Sequence, residues 1–395
     1  MIEPKMPRVT PYQLDLWSSN MAELYESLEG EIIRIIIRRF KRGHRDITQW
    51  QAQKLQELRL FNNEVTKLLA EVTAVAEPEI RRMFEVAGNR IIEDVDNALP
   101  YATRPKPTNL DRVMKAYSDQ VWSEIDNYVN QTLVTTHYGR GTAARAYVDT
   151  LNRVTAMFNT GLYTFEDAVE QSVVRLAQKG IESMFIDRGG NTWSLERYTR
   201  TVLKSTLANT YDELRKERMA EYDVYTVLVT SHVGARPACS VIQGNVVDLR
   251  PPENIPEGSQ YRSIYDPYWQ ADYGDPGGHR GVNCAHLHIP FIPGVNVNNQ
   301  PKYDAGLNAR IAAAKEKQRR LEREIVRYKK NLIIAEELGR AETANYWRTM
   351  VRRRQKAMRE HLSIPEHAKY LSRNYRREKV YTPLETLLKD FSFDD

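Results

Sequence analysis

The stretch "YTVLVTSHV" (Tyr225–Val233) is where the chain changes character. It is short and rich in β-branched residues, so it reads as a strand, whereas almost everything before it carries helical spacing. Two turn-forming clusters follow, "RPPENIPEG" (Arg250–Gly258) and "GDPGG" (Gly274–Gly278). Next comes "CAHLHIPFI" (Cys284–Ile292), which alternates, is interrupted by proline and reads as a second strand. Residues 226–297 are therefore expected to form a small, turn-rich α+β module between helical regions.

Toward the N-terminus, Leu55, Leu58, Val65, Leu68, Leu69 and Val72 recur at spacings of three and four, and Val113, Tyr117, Val121 and Ile125 repeat the pattern. "TFEDAVEQSVVRLAQKGI" (Thr164–Ile181) opens on a threonine suited to an N-cap and closes on Gly180. A further helix is expected from Ser194 to Tyr222. "PYATRPKPT" (Pro100–Thr108) reads as a proline-rich linker. Toward the C-terminus, Ile311, Leu321, Ile325, Tyr328, Leu332 and Leu338 trace a narrow apolar seam, Gly339 breaks it, and a second helix follows over 342–362. That pattern predicts a helical hairpin. The fold class expected is mainly α with a small α+β module: a helical body over 1–225, the module over 226–297, and a basic helical hairpin with its tail over 298–395.

With 395 residues, 41% hydrophobic and 28% charged, the chain can bury sizeable cores in two or three domains and is not a disordered polyelectrolyte. Two cysteines exclude a disulfide scaffold and are expected to be thiols in a reducing cytoplasm. The most apolar run, Glu31–Gly43, contains Arg34, Arg38 and Arg39, and so reads as a buried helix rather than a membrane span. The N-terminus lacks the apolar core of a signal peptide, so synthesis in the cytoplasm is expected. The net charge of +5 is unevenly spread: residues 301–380 hold 22 basic against 10 acidic residues, an excess of +12, which leaves −7 on the remainder. A basic appendage of this kind suggests a polyanionic or acidic partner.

One cysteine and three histidines fall within His279–His288. On an extended strand Cys284, His286 and His288 would share a face, and His232 and Cys239 lie upstream in the same module. Paired segments could then gather thiolate and imidazole ligands, with His232, Cys239, Cys284 and His286 as the candidate set and zinc as the ion such donors suit. The chain has no C-x₂₋₄-C knuckle. The plainer reading is therefore a buried thiol among hydrogen-bonded histidines. A thiol or metal enzyme built on the same four residues is the alternative. Nucleophilic catalysis would need an orienting group and an oxyanion hole as well, and no helix N-terminus or glycine-rich turn directly abuts Cys284 to activate it. The expectation is a non-enzyme.

"SHVGARPACSVIQGNVVDL" (Ser231–Leu249) followed by "GVNCAHLHIPFIPG" (Gly281–Gly294) resembles the signature of the phage minor capsid protein 2 family, within the Mu F-like head morphogenesis proteins of tailed phages. The residues carrying the resemblance include Gly234, Arg236, Pro237, Gln243, Gly244, Asn283, Pro290 and Gly294. Two positions depart from the pattern: Cys239 stands where many members have histidine, and Ala285 where arginine is common. The resemblance implies a low-copy internal head component in the virion, made in the host bacterial cytoplasm and associated with the portal vertex during procapsid assembly. It implies portal, major capsid or scaffolding proteins as partners and no conventional active site. Within the basic region, Arg319, Arg320, Arg323, Arg327, Lys329 and Lys330 on the first helix, and Arg352, Arg353, Arg354 and Lys356 on the second, are the candidate residues for binding double-stranded DNA non-specifically or an acidic partner.

Overall fold

A computed structural model describes residues 3–43, 46–99, 110–134, 141–186, 189–190, 192–281 and 284–390. The expected linker Pro100–Thr108 and the motif residue Asn283 lie outside them. The protein is mainly α-helical with small antiparallel sheets, as the periodicity predicts. No helix among the described residues is long and apolar enough to cross a membrane. The chain divides into two compact units, residues 1–18, 80–121 and 203–317 in one, and 19–79, 122–202 and 318–395 in the other. Each unit draws on three separate stretches of the chain.

The first unit holds the α+β module. Its sheet has the order β4-β3-β5, with β3 (Thr226–Val229) central, β4 (Val246–Asp248) and β5 (His288–Pro290) antiparallel on either side. Leu228 faces Val246 on one side and Ile289 on the other. Successive side chains of β3 enter opposite cores, because a strand alternates faces. Val227 and Val229 pack with Met219, Val247, Ile264 and Trp269. Leu228 packs with Ile289 and Phe291. Burial on both faces is why "TVLV" is continuously apolar. The second strand is shorter than expected, because Cys284 and His286 precede β5 in irregular backbone rather than lying on it. Ladder pairing begins only at His288, opposite Val229.

The second unit is helical apart from a hairpin of β1 (Glu182–Ile186) and β2 (Thr192–Ser194). Asp46 caps the Ile47–Gln56 helix by accepting from the Thr48 and Gln49 amides, and Thr164 caps Phe165–Lys179 by accepting from the Asp167 amide. Gly180 ends that helix at a φ of 78°, a conformation that favours glycine. Phe40, Trp50, Phe61 and Tyr147 meet edge-on or tilted at 4.7–5.5 Å between ring centres. Here the helical stripe departs from expectation: Leu55 is exposed and Lys54 is buried. The Lys54 ammonium pairs with Glu57, and its carbonyl accepts from the Tyr147 hydroxyl, which turns that face inward. The hairpin forms as predicted, with Ala305–Glu337 and Ala341–Ser363 joined at Gly339, whose φ is 74°. Leu321, Ile325 and Met358 form its seam, flanked by Ala357 and Leu362. Each such buried side chain contributes about 1.5–3 kcal/mol. Of the hairpin aromatics, Tyr328 is buried and Tyr346 is exposed.

Candidate functional site

The cysteine–histidine cluster lies in the first unit, where three irregular segments converge. Cys239 sits on the single-turn helix Pro237–Ser240, which Arg236 precedes as N-cap and Pro237 opens. The Arg236 guanidinium donates to the carbonyls of Pro276 and Gly277, tying this turn to the glycine-rich loop. That loop folds back on itself. A Cβ on Gly278 would come within 1.8 Å of the Asp272 carbonyl oxygen, and one on Gly281 within 2.0 Å of the Asp275 oxygen. Only glycine permits that approach, and the result is to carry His279 inward to complete burial. Arg280, at a φ of 61°, pairs with Asp212 and donates to the His286 and Ala208 carbonyls, so the backbone of both histidine segments is pinned by one guanidinium. The buried Arg215 donates to the His288 carbonyl.

Within this frame the donor atoms of Cys239, His279, Cys284 and His286 all lie within 4.8 Å of one another. The two sulfurs are 3.8 Å apart, and Cys284 Sγ is 3.4 Å from His286 Nδ1. His286 Nε2 donates to Gln243 Oε1 at 3.0 Å, and the same oxygen accepts from the His232 amide. His279 and His288 share an Nε2–Nε2 hydrogen bond of 2.8 Å, and His279 Nδ1 is buried with no hydrogen-bond partner. Burial holds the His279 and His288 rings below the ordinary histidine range, so both are neutral at pH 7. The hydrogen bond between the two thiols lowers Cys284 and, together with burial, raises Cys239.

Of the four residues read from the sequence, the structure brings together Cys239, Cys284 and His286. It does not bring in His232. That ring stacks on His286 at 4.2 Å between centres, and burial pushes it down to about 4. His279 takes the fourth place. Spacing alone passed it over because it lies five residues before Cys284, on a different segment from any strand; the Gly-Gly-His-Arg-Gly turn was the available signal. Nor does His288 share the cluster's face, since it backs His279 instead. The remaining motif residues build this corner. Gly234 and Gly244 turn at φ 72° and 74°, Gly294 at 78°, and Pro290 ends β5.

In the second unit the structure splits the basic set. Lys329 donates to the Glu378 carbonyl, Lys330 pairs with Glu29, and Arg354 with Glu324, so these three serve the fold. Arg319 pairs with Glu322, and Lys356 with Glu360 at 3.8 Å. Arg320, Arg323, Arg352, Arg353 and Arg359 are exposed and form no ion pair with another described residue. Arg319, Arg323, Arg327 and Lys330 also line a cavity of about 460 Å³ with Arg376, Arg377 and Lys379.

The comparisons with known proteins make the chain a phage structural protein. The sequence model of phage minor capsid protein 2 matches residues 9–363, and the chain belongs to that family. It is 29% identical to a "Structural protein" of Lactococcus phage LL-H over 91% of this chain and 98% of that one. A "Structural protein" of Lactococcus phage mv4 is 32% identical over 31% of this chain and 93% of its own length. No solved structure matches the chain.

Proposed function

We propose that the protein works inside the head, at the portal vertex during procapsid assembly, by contact rather than turnover, and that its hairpin binds packaged DNA through the phosphate backbone. The observation that carries this reading is the set of exposed arginines without ion pairs on the hairpin, beside a cavity whose lining includes eight basic side chains against three carboxylates. Arg320, Arg323 and Arg327 recur every three or four residues, on one face of their helix. Such a face neutralises phosphates and reads no bases. Family membership and the names of the relatives support a virion component; the portal as partner follows from the resemblance. The alternative of an enzyme on His232, Cys239, Cys284 and His286 has no supporting observation beyond the cluster itself.

The test is fluorescence anisotropy of the full chain with random-sequence double-stranded DNA at rising salt. Binding is expected to weaken linearly in log–log form, with no sequence preference. Replacing Arg352, Arg353 and Arg359 by glutamine should reduce the slope by about three, one unit for each lost phosphate contact, while thermal stability stays within about 0.5 kcal/mol. No binding at low salt, or a slope unchanged by the triple substitution, would exclude the DNA reading. Quantifying the chain against the portal in assembled heads checks the location; a few copies per particle are expected.

A further inference from the structure

The geometry points to a structural zinc site formed by Cys239, His279, Cys284 and His286, a set that differs by one residue from the one the sequence suggests. Zinc takes thiolate and imidazole donors tetrahedrally, with Zn–S of ~2.3 Å and Zn–N of ~2.0–2.1 Å. Those bonds place two sulfurs ~3.8 Å apart and sulfur ~3.5 Å from nitrogen. The observed separations are 3.8 Å between the sulfurs and 3.4 Å from Cys284 Sγ to His286 Nδ1. The four donors are buried or half-buried and lie within 4.8 Å of one another, so the widest separation has to close by about 1 Å to reach a tetrahedral edge.

The surroundings match in a second, independent way. A zinc-bound imidazole engages one ring nitrogen with the metal and donates its other N–H to a protein acceptor, which fixes tautomer and orientation. His286 does this through Gln243, leaving Nδ1 toward sulfur. His279 does it through His288, leaving Nδ1 buried and without a hydrogen-bond partner. An orphaned nitrogen in a closed interior costs ~1–3 kcal/mol unless something takes its lone pair. A cation bound there would do so. His232 Nε2 is also buried without a hydrogen-bond partner, but its ring stacks on His286 and its nitrogens are not among the four donor atoms that lie within 4.8 Å of one another. Each ligand segment also comes from a different part of the module: the Pro237–Ser240 turn, the glycine-tight loop, and the run into β5. The ion would clip together loops that a sheet of three- and four-residue strands does not itself hold. Binding converts the thiols to thiolates and releases their protons to solvent, with no change of oxidation state.

The experiment is elemental analysis of the full chain purified after expression with added zinc, alongside the visible spectrum after exchange for cobalt(II). One zinc per chain is expected, with the thiolate charge-transfer and intense d–d bands of a tetrahedral S₂N₂ cobalt site. His279→Gln and Cys239→Ser should each lower bound zinc at least tenfold, and His232→Phe should keep it. If the ligand variants do not fold, X-ray absorption of the zinc in the unaltered chain decides the matter: two sulfurs and two nitrogens support the site, and any other shell rejects it. Metal-free chain after incubation with zinc would overturn the proposal. So would a Cys239–Cys284 disulfide in protein prepared without reductant, or loss of zinc in His232→Phe with retention in His279→Gln. None of these outcomes depends on whether the hairpin binds DNA.

Discussion

The module around Cys284 and the hairpin around Ile325 solve the problem of cationic side chains in opposite ways. In the first unit, Arg215 and Arg218 are buried and the Arg280 side chain is 5% exposed, and each grips backbone carbonyls or carboxylates. In the hairpin, apolar residues carry the packing and most arginines stand in water. Burying a charge is costly unless ion pairs and hydrogen bonds offset it, and removing a partner is then strongly destabilising. An exposed charge is nearly neutral for stability and free to meet a partner. The same residue type is therefore structural in one unit and available for binding in the other.

The comparison breaks most sharply at Arg218, which pairs with Asp96 and Glu221 while 1% exposed. Arg218→Ala should cost about 3–5 kcal/mol in urea or thermal unfolding, because two carboxylates lose their buried counter-charge; a loss below 1 kcal/mol would mean the pair is solvated. Next comes Ile325→Ala, expected to cost about 2–5 kcal/mol by opening a cavity in the seam. A cost near that of an exposed arginine would show the hairpin is not held by that seam.

The smallest effect is a pH dependence. Burial, opposed in part by Lys330, pushes the Glu26 carboxyl up to about 8, with Glu196 and Glu29 adding to the rise and Arg200 opposing it. Folded protein therefore keeps a proton that the unfolded chain loses near 4.5. Stability should fall as pH rises from about 4.5 to about 8 and level off above that. Glu26→Gln should flatten this part of the profile, read as Tm against pH for both chains. An unchanged profile would show the carboxyl is ionised throughout.

What the sequence makes legible follows from the range of the forces involved. Caps such as Thr164 and the Gly339 break are local, and the Ile325 seam repeats every turn, so all three can be read without knowing the fold. The strand at Thr226 is equally plain, because both its faces are buried. Lys54 and Leu55 exchange their expected places because Tyr147, some 93 positions on, claims the Lys54 carbonyl. His279 is misread for a related reason. Its partners come from three segments brought together by glycine contacts, and no periodicity encodes such a meeting. The hairpin's basic residues could be identified as a basic surface, but which of them the fold uses up, such as Lys330 and Arg354, depends on carboxylates elsewhere in the sequence.

One contact within the helical unit bears on how the chain is made. Tyr381 lies over Gly30, where a Cβ would stand 2.8 Å from its ring, and its hydroxyl reaches Glu29 across 352 positions of sequence. At a ribosome's pace of ~5–20 residues per second, that lid arrives roughly 20–70 s after the helix it covers. For that interval Glu29 and Gly30 wait in the crowded host without this cover, so packing at that point of the helix follows the synthesis of Tyr381.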